Sequence, residues 1–129
     1  MIQGHFGEIG ELFFDIDLIA NNGEVIPVEG LLDTGFTTGW LAMDLQDVEA
    51  LGWNLLQQRR TMQTASGETF FALYEGRVIM GEQEFIIPVH ARAGVQEVLL
   101  GLQWLMRQRL VVDFPQGVLT LELANSLAL

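Results

Sequence analysis

The heptapeptide Leu31-Leu32-Asp33-Thr34-Gly35-Phe36-Thr37 constrains this chain more than any other segment. An apolar run ends abruptly in an aspartate, and threonine, glycine and a second hydroxyl residue follow. A carboxylate placed directly after Leu-Leu sits at the rim of a core, where ionisation is costly unless something compensates it. Gly35 permits a turn that brings main-chain N–H groups to the carboxylate, and Thr34 and Thr37 add short donors. Such a setting suits an aspartate that must stay polarised, oriented and partly dry. Asp-x-Gly is also an ordinary turn, and Asp-Thr-Gly arises by chance in roughly a few per cent of chains this long, so its context has to decide.

Composition narrows that context. The chain has 129 residues, of which 50% are hydrophobic, enough for one compact domain with a real core. Without cysteine, neither a disulfide framework nor a thiolate zinc site is available. A net charge of −11, with only six basic residues, argues against nucleic acid and against anionic membranes as partners. Met1-Ile2-Gln3-Gly4-His5 does not resemble a signal peptide, and no apolar run reaches the roughly 18 residues of a membrane span. The expected location is the cytoplasm.

The pattern along the chain reads as mostly β. Glu11 to Ala20 and Glu24 to Leu32 form a hairpin around Asn21-Asn22-Gly23, so Asp33 stands at a strand's C-terminal end. Thr38 to Ala42 continues as strand. Asp44 to Leu51 reads as a short helix with Asp44 as N-cap, Leu45, Val48 and Leu51 on one face, and Gly52 as its stop. Thr61 to Ala65 and Thr69 to Tyr74 flank a hairpin tip at Ser66-Gly67-Glu68, and Arg77 to Met80 and Glu84 to Val89 are further strands. Val98-Leu99-Leu100 is a short buried strand closed by Gly101. Leu102 to Leu110 reads as a helix with the stripe Leu102, Leu105, Met106 and Leu110, leaving Gln103, Arg107 and Gln108 outside. Val111 to Phe114 and Val118 to Leu123 close the domain as a hairpin.

Three features follow in order: the Asp-Thr-Gly loop at 33–35, the glycine-tipped hairpin Thr64-Ala65-Ser66-Gly67-Glu68, and Leu99-Leu100-Gly101 leading into a helix. This order resembles the retropepsin-like aspartic proteases, single-domain relatives of the retroviral enzymes, over roughly Glu11 to Leu123. The resemblance implies a single domain over 1–129 with a closed, barrel-like, mainly β acid-protease fold, one or two short helices and a homodimeric state. It implies that Asp33 is the catalytic aspartate, that Thr34 locks two active-site loops together across the dimer, and that Gly35 lies beside substrate. Ala65, Ser66, Gly67 and Glu68 become the flap over a bound peptide, while Thr37, Leu99, Leu100 and Gly101 support the catalytic loop.

Hydrolysis by this route needs two carboxyls sharing a proton. Asp15, Asp17, Asp44, Asp47 and Asp113 lack a following Thr-Gly, so the second carboxyl must come from a two-fold partner's Asp33. The expected function is an aspartic endopeptidase cutting extended peptides at apolar residues, with no cofactor and no metal; the alternative is a weakly catalytic dimer that binds peptide or serves assembly. Other residues read more plainly. Asp15-Ile16-Asp17 fails the EF-hand spacing, because Ile19 stands where an oxygen ligand is needed. His5 and His90 are isolated, without metal-ligand spacing. Trp40, Trp53 and Trp104 read as core or dimer-interface residues, Ser66 lacks a hydrolase context, and Arg59-Arg60 reads as an exposed loop. The apolar end from Leu123 to Leu129 reads as a dimer strand or a frayed terminus.

Overall fold

The computed structural model describes residues 1–123; the expectation for the apolar end lies outside them from residue 124 onward. The chain runs β1 (Ile2–Phe6), β2 (Leu12–Ile19), β3 (Val25–Leu32), β4 (Leu41–Asp44), α1 (Leu45–Leu51), β5 (Asn54–Thr64), β6 (Gly67–Met80), β7 (Gln83–Arg92), β8 (Val98–Leu100), a 3-10 helix (Leu102–Met106), β9 (Gln108–Asp113) and β10 (Val118–Leu123). Strands β6, β7, β4, β8, β3 and β2 are successive neighbours, and Asp17 and Leu18 of β2 pair with Ile79 and Val78 of β6. That last pairing closes a six-stranded barrel. Strand β5 extends from β6, and β1, β10 and β9 continue outward from β2.

Alternation explains why β2 wraps the core. Phe14, Ile16 and Leu18 are buried, and Asp15 between them is exposed. Gly23 turns the chain with φ 90°, its N–H reaching the Ala20 carbonyl at 2.8 Å, so Val25 to Leu31 return in register against β2. In α1, Asp44 accepts the Gln46 N–H and Gly52 ends the helix at φ 74°, which leaves Val48 and Leu51 facing the core.

Several elements differ from the sequence reading. Strand β4 begins at Leu41 rather than Thr38, because residues 37–40 are held in the loop that follows Asp33. Strand β6 is one continuous element: at Gly76 a Cβ would strike Val89 and crowd the Trp53 ring, so the missing side chain admits that indole instead of breaking the strand. The helix after Gly101 is a five-residue 3-10 turn that stops at Met106. Leu110 belongs to β9, where pairing of Gln108 through Asp113 with β10 satisfies more backbone groups than another helical turn would. Arg59 and Arg60 lie in β5, not in a loop. Strand β1 lacks a clear sequence pattern; Gly4 lies in its interior, where a Cβ would meet the Phe13 carbonyl, Phe14 and Leu119. No helix among the described residues is long and apolar enough to cross a membrane.

Trp53 fastens the barrel to its helix. The buried indole N–H donates to the Ile19 carbonyl at 2.8 Å, and the Asn21 N–H donates to the last carbonyl of α1, Leu51. Trp53→Phe leaves the Ile19 carbonyl buried without that donor. The expected loss is about 1–3 kcal/mol, measured by urea unfolding; an unchanged midpoint would show that water or another group replaces the indole.

Candidate active site

The loop carrying Asp33 is held by the segment that carries Gly101. Strand β8 lies between β3 and β4, pairing Leu31 with Leu99 and Leu32 with Leu100 in parallel, and Leu41 with Leu100 antiparallel. The Asp33 N–H continues the first register by donating to the Leu100 carbonyl at 2.8 Å. Beyond it, Gly101 N–H donates to Trp40 O, Leu102 N–H to Phe36 O, and Gln103 N–H to Gly39 O. The Gln103 amide donates to the Thr37 carbonyl at 2.8 Å, and the Trp104 indole to the Trp40 carbonyl at 2.6 Å. The loop's carbonyls are therefore paired almost in sequence with one short segment.

The carboxylate itself is half-buried, and its Oδ1 accepts the Gly35 N–H at 2.9 Å. Among the described residues no threonine hydroxyl donates to it, contrary to the sequence expectation for Thr34 and Thr37. Gly35 is not in the left-handed region either; a Cβ there would stand 3.2 Å from Asp33 Oδ1, a tight contact that would press on the carboxylate. Thr34 is exposed, and its side chain has no hydrogen-bond partner among the described residues.

Phe36 turns inward and is buried at 8% exposure. A Cβ on Gly39 would collide with its ring, and a Cβ on Gly101 would collide with the Gly39 carbonyl as well as that ring. Two glycines thus make room for one phenylalanine under the Asp33 loop. Its ring meets His90 edge-on at 5.0 Å, and Phe71 approaches the same imidazole at 5.8 Å. His90 is 3% exposed, lies on β7 between Leu73 and Ala42, and neither ring nitrogen has a hydrogen-bond partner.

In the hairpin of β5 and β6, residues 54–61 are all exposed. Thr64 pairs with Gly67, so the tight turn is Ala65-Ser66, and Glu68 already pairs with Gln63. The positive φ falls on Gly67, at 111°, just after the turn. Among the described residues no non-glycine takes a positive φ, so Ala65 and Ser66 turn without one and Gly67 supplies it.

The fold is shared with solved structures. A retropepsin-like aspartic protease from Rickettsia conorii superposes with a TM-score of 0.60 at 22% identity, covering 95% of this chain and 88% of that one. EIAV protease, solved in complex with the inhibitor HBY-793, superposes with a TM-score of 0.58 at 14% identity, covering 78% of this chain and 90% of that one. The chain has the retropepsin-like fold. Neither a protein-family model nor a curated protein matches it by sequence.

Within the retropepsin-like fold, Asp33, Gly35, Thr37, Leu99, Leu100 and Gly101 come together in one hydrogen-bonded unit. Ala65 to Glu68 belong to a separate hairpin. Gln103, read from the helical stripe as an outward residue, is a structural partner of the loop. Its signal was only its position two residues after Gly101. His5 is a surface histidine, in keeping with its sequence reading, but it is not isolated in space, whereas His90 is fully buried. Pairing across β1, β2 and β3 brings His5, Asp15 and Glu29 together, their donor atoms within 4.8 Å of one another. His5 Nε2 and Glu29 Oε2 lie 2.7 Å apart in an exposed contact.

Burial, and secondarily the nearby Arg60 guanidinium, lowers the His90 pKa from 6.5 to about 4. The unfolded chain therefore takes up this proton near pH 6.5 and the folded chain only near pH 4. Stability is complete above the unfolded value and falls progressively as pH drops through that window, by about 3 kcal/mol in all. His90→Leu keeps the space filled and removes the titration. In urea unfolding between pH 7 and pH 4.5, its stability loss is expected to be smaller than wild type's by about 2 kcal/mol. Identical acid profiles would contradict this account of His90.

Proposed function

We propose that this protein is an aspartic endopeptidase, acting as a homodimer on extended peptide segments with apolar side chains at the cut. The observation that carries this reading is the Asp33 carboxylate, aimed by the Gly35 N–H at the end of β3 in a loop hydrogen-bonded along its length, on a retropepsin-like fold. A scaffold has no physical need for a half-buried acid so constrained. The other aspartates serve elsewhere or lack the setting: Asp44 caps α1 and accepts the Gly94 N–H, and Asp113 accepts the Gln116 N–H.

In the proposed dimer, two Asp33 carboxyls face each other and share one proton, because two adjacent charges cannot both be sustained. The ionised one takes a proton from a water molecule, whose oxygen attacks the peptide carbonyl carbon. The protonated one gives its proton to the carbonyl oxygen, producing a tetrahedral diol. Collapse of that diol breaks the C–N bond, the amine leaves with a proton from the dyad, and the shared proton is restored. The exposed Thr34 hydroxyl reaches the partner's loop, Gly35 lets the peptide backbone approach, and Ala65 to Glu68 close over it. Leu99, Leu100 and Gly101, with Thr37, keep the loop from yielding.

Asp33→Asn is nearly isosteric and cannot act as the base. It is expected to lower cleavage of an unstructured protein by at least 10², with the fold unchanged by circular dichroism. Turnover within about tenfold of wild type would exclude Asp33 as the base. Peptide binding by a wild type with no detectable cleavage would instead favour the binding-module reading.

Thr34→Ala removes a hydrogen bond that symmetry makes count twice, at roughly 1–3 kcal/mol for each group left unpaired. Its specific activity is expected to collapse on dilution at concentrations where wild type still works, with monomer appearing in parallel by sedimentation. Activity independent of concentration in both proteins would contradict a shared site.

A further inference from the structure

All six basic residues of this acidic chain are arginine, and they are unevenly used. Arg77 pairs with Glu84 at 3.2 Å. Arg59 and Arg92 line one groove of about 580 Å3 at the root of the β5–β6 hairpin, with Leu45, Phe70, Phe71 and Ala91 among its walls and floor. None of the groove's lining residues is acidic, and neither arginine is in an ion pair among the described residues. With 17 acidic residues in the chain, a cationic groove free of carboxylates is a departure from its surroundings. The Asp44 carboxylate, next to Leu45, is occupied by the Gln46 and Gly94 N–H groups.

The shape fits the charge. Ala91 of the floor pairs with Ala72, and these small side chains give the groove depth. Phe70 is 40% exposed and carries the Arg59 guanidinium over its ring, 3.6 Å from the centroid. That stacking holds a long side chain in place and leaves its N–H edges open for a planar carboxylate. Arg60, one position on, pairs across the strands with Phe71 and adds positive charge close by. Phe70 and Phe71 follow the hairpin's Gly67 by three and four residues, about 10–13 Å along the strand, a distance an extended peptide covers in the same number of residues.

We propose that this groove docks an acidic stretch of the polypeptide substrate, seating a Glu or Asp side chain between Arg59 and Arg92 while neighbouring apolar side chains lie on Phe70 and Leu45. The inference deepens the endopeptidase reading, on which it rests for its biological sense. It makes the protein selective for segments in which apolar residues near the cut are accompanied by an acidic residue several positions away. In a two-fold dimer, one such groove stands at each root of the paired hairpins.

The test uses two fluorescein-labelled ten-residue peptides of alternating apolar residues, one with glutamate between them and one with glutamine. Binding is measured by anisotropy on the Asp33→Asn protein, so that turnover does not intervene. The glutamate peptide is expected to bind roughly tenfold tighter or better, and its advantage is expected to shrink as salt screens the pair. Arg59→Gln with Arg92→Gln is expected to remove the advantage and leave the affinity for the glutamine peptide unchanged, whereas Arg59→Lys with Arg92→Lys keeps part of it. Equal affinity of the unsubstituted groove for both peptides, no binding of either, or an advantage that survives the double glutamine substitution would overturn the proposal. Cleavage of an unstructured protein by wild type is scored separately. Its failure beside an intact glutamate preference removes the endopeptidase reading and not the groove; its success without that preference does the reverse.

Discussion

The backbone hydrogen bonds between residues 33–40 and 100–104 are the constraint on which the candidate site depends. A loop after a strand normally satisfies its carbonyls with water. Here Phe36, Thr37, Gly39 and Trp40 each present a carbonyl to a donor from Gly101 through Trp104, and Asp33 donates to Leu100. So close an approach is possible because Gly39 and Gly101 lack side chains where a Cβ would collide with backbone or with the Phe36 ring. The aspartate's direction then follows: its main chain is fixed on both sides, and the Gly35 N–H selects one oxygen. Remove either glycine and the loop must separate from β8, taking the carboxylate with it.

Much of this was legible in the sequence because local chemistry and tertiary packing agree there. Asn21-Asn22-Gly23 announces the β2–β3 turn, Asp44 and Gly52 bound α1, and Leu99-Leu100-Gly101 ends a buried strand as its pattern suggests. Reading failed where long-range pairing overrode local pattern. Leu105, Met106 and Leu110 have helical spacing, yet Met106 is 65% exposed and Leu110 pairs with Leu121 of β10. Gly76 looks like a break and is a place for the Trp53 ring. The role of Phe36 was invisible for a different reason. Nothing local says whether the residue after Asp-Thr-Gly faces solvent or the imidazole of His90.

His90 sets a counterweight to the proposed chemistry. A carboxyl dyad benefits from acid, whereas burying an imidazole with no partner for either nitrogen makes the same fold less stable as pH falls. Because the ring touches Phe36, the acid-sensitive element lies directly beneath the loop that carries Asp33. The chain is strongly acidic, and three of its six arginines, Arg59 and Arg60 on β5 and Arg92 on β7, lie at or next to the proposed groove.

The central claim is that one active site needs an Asp33 from each of two chains, and mixing subunits tests it directly. Wild type is combined with excess Asp33→Asn protein, allowed to exchange, and assayed at fixed wild-type concentration. With a shared site, an equal amount of the variant lowers activity to about half and a ninefold excess to about a tenth, because each wild-type chain is increasingly paired with an inert partner. Activity that stays constant across the mixture, with exchange verified by a labelled subunit, would contradict the shared-site account.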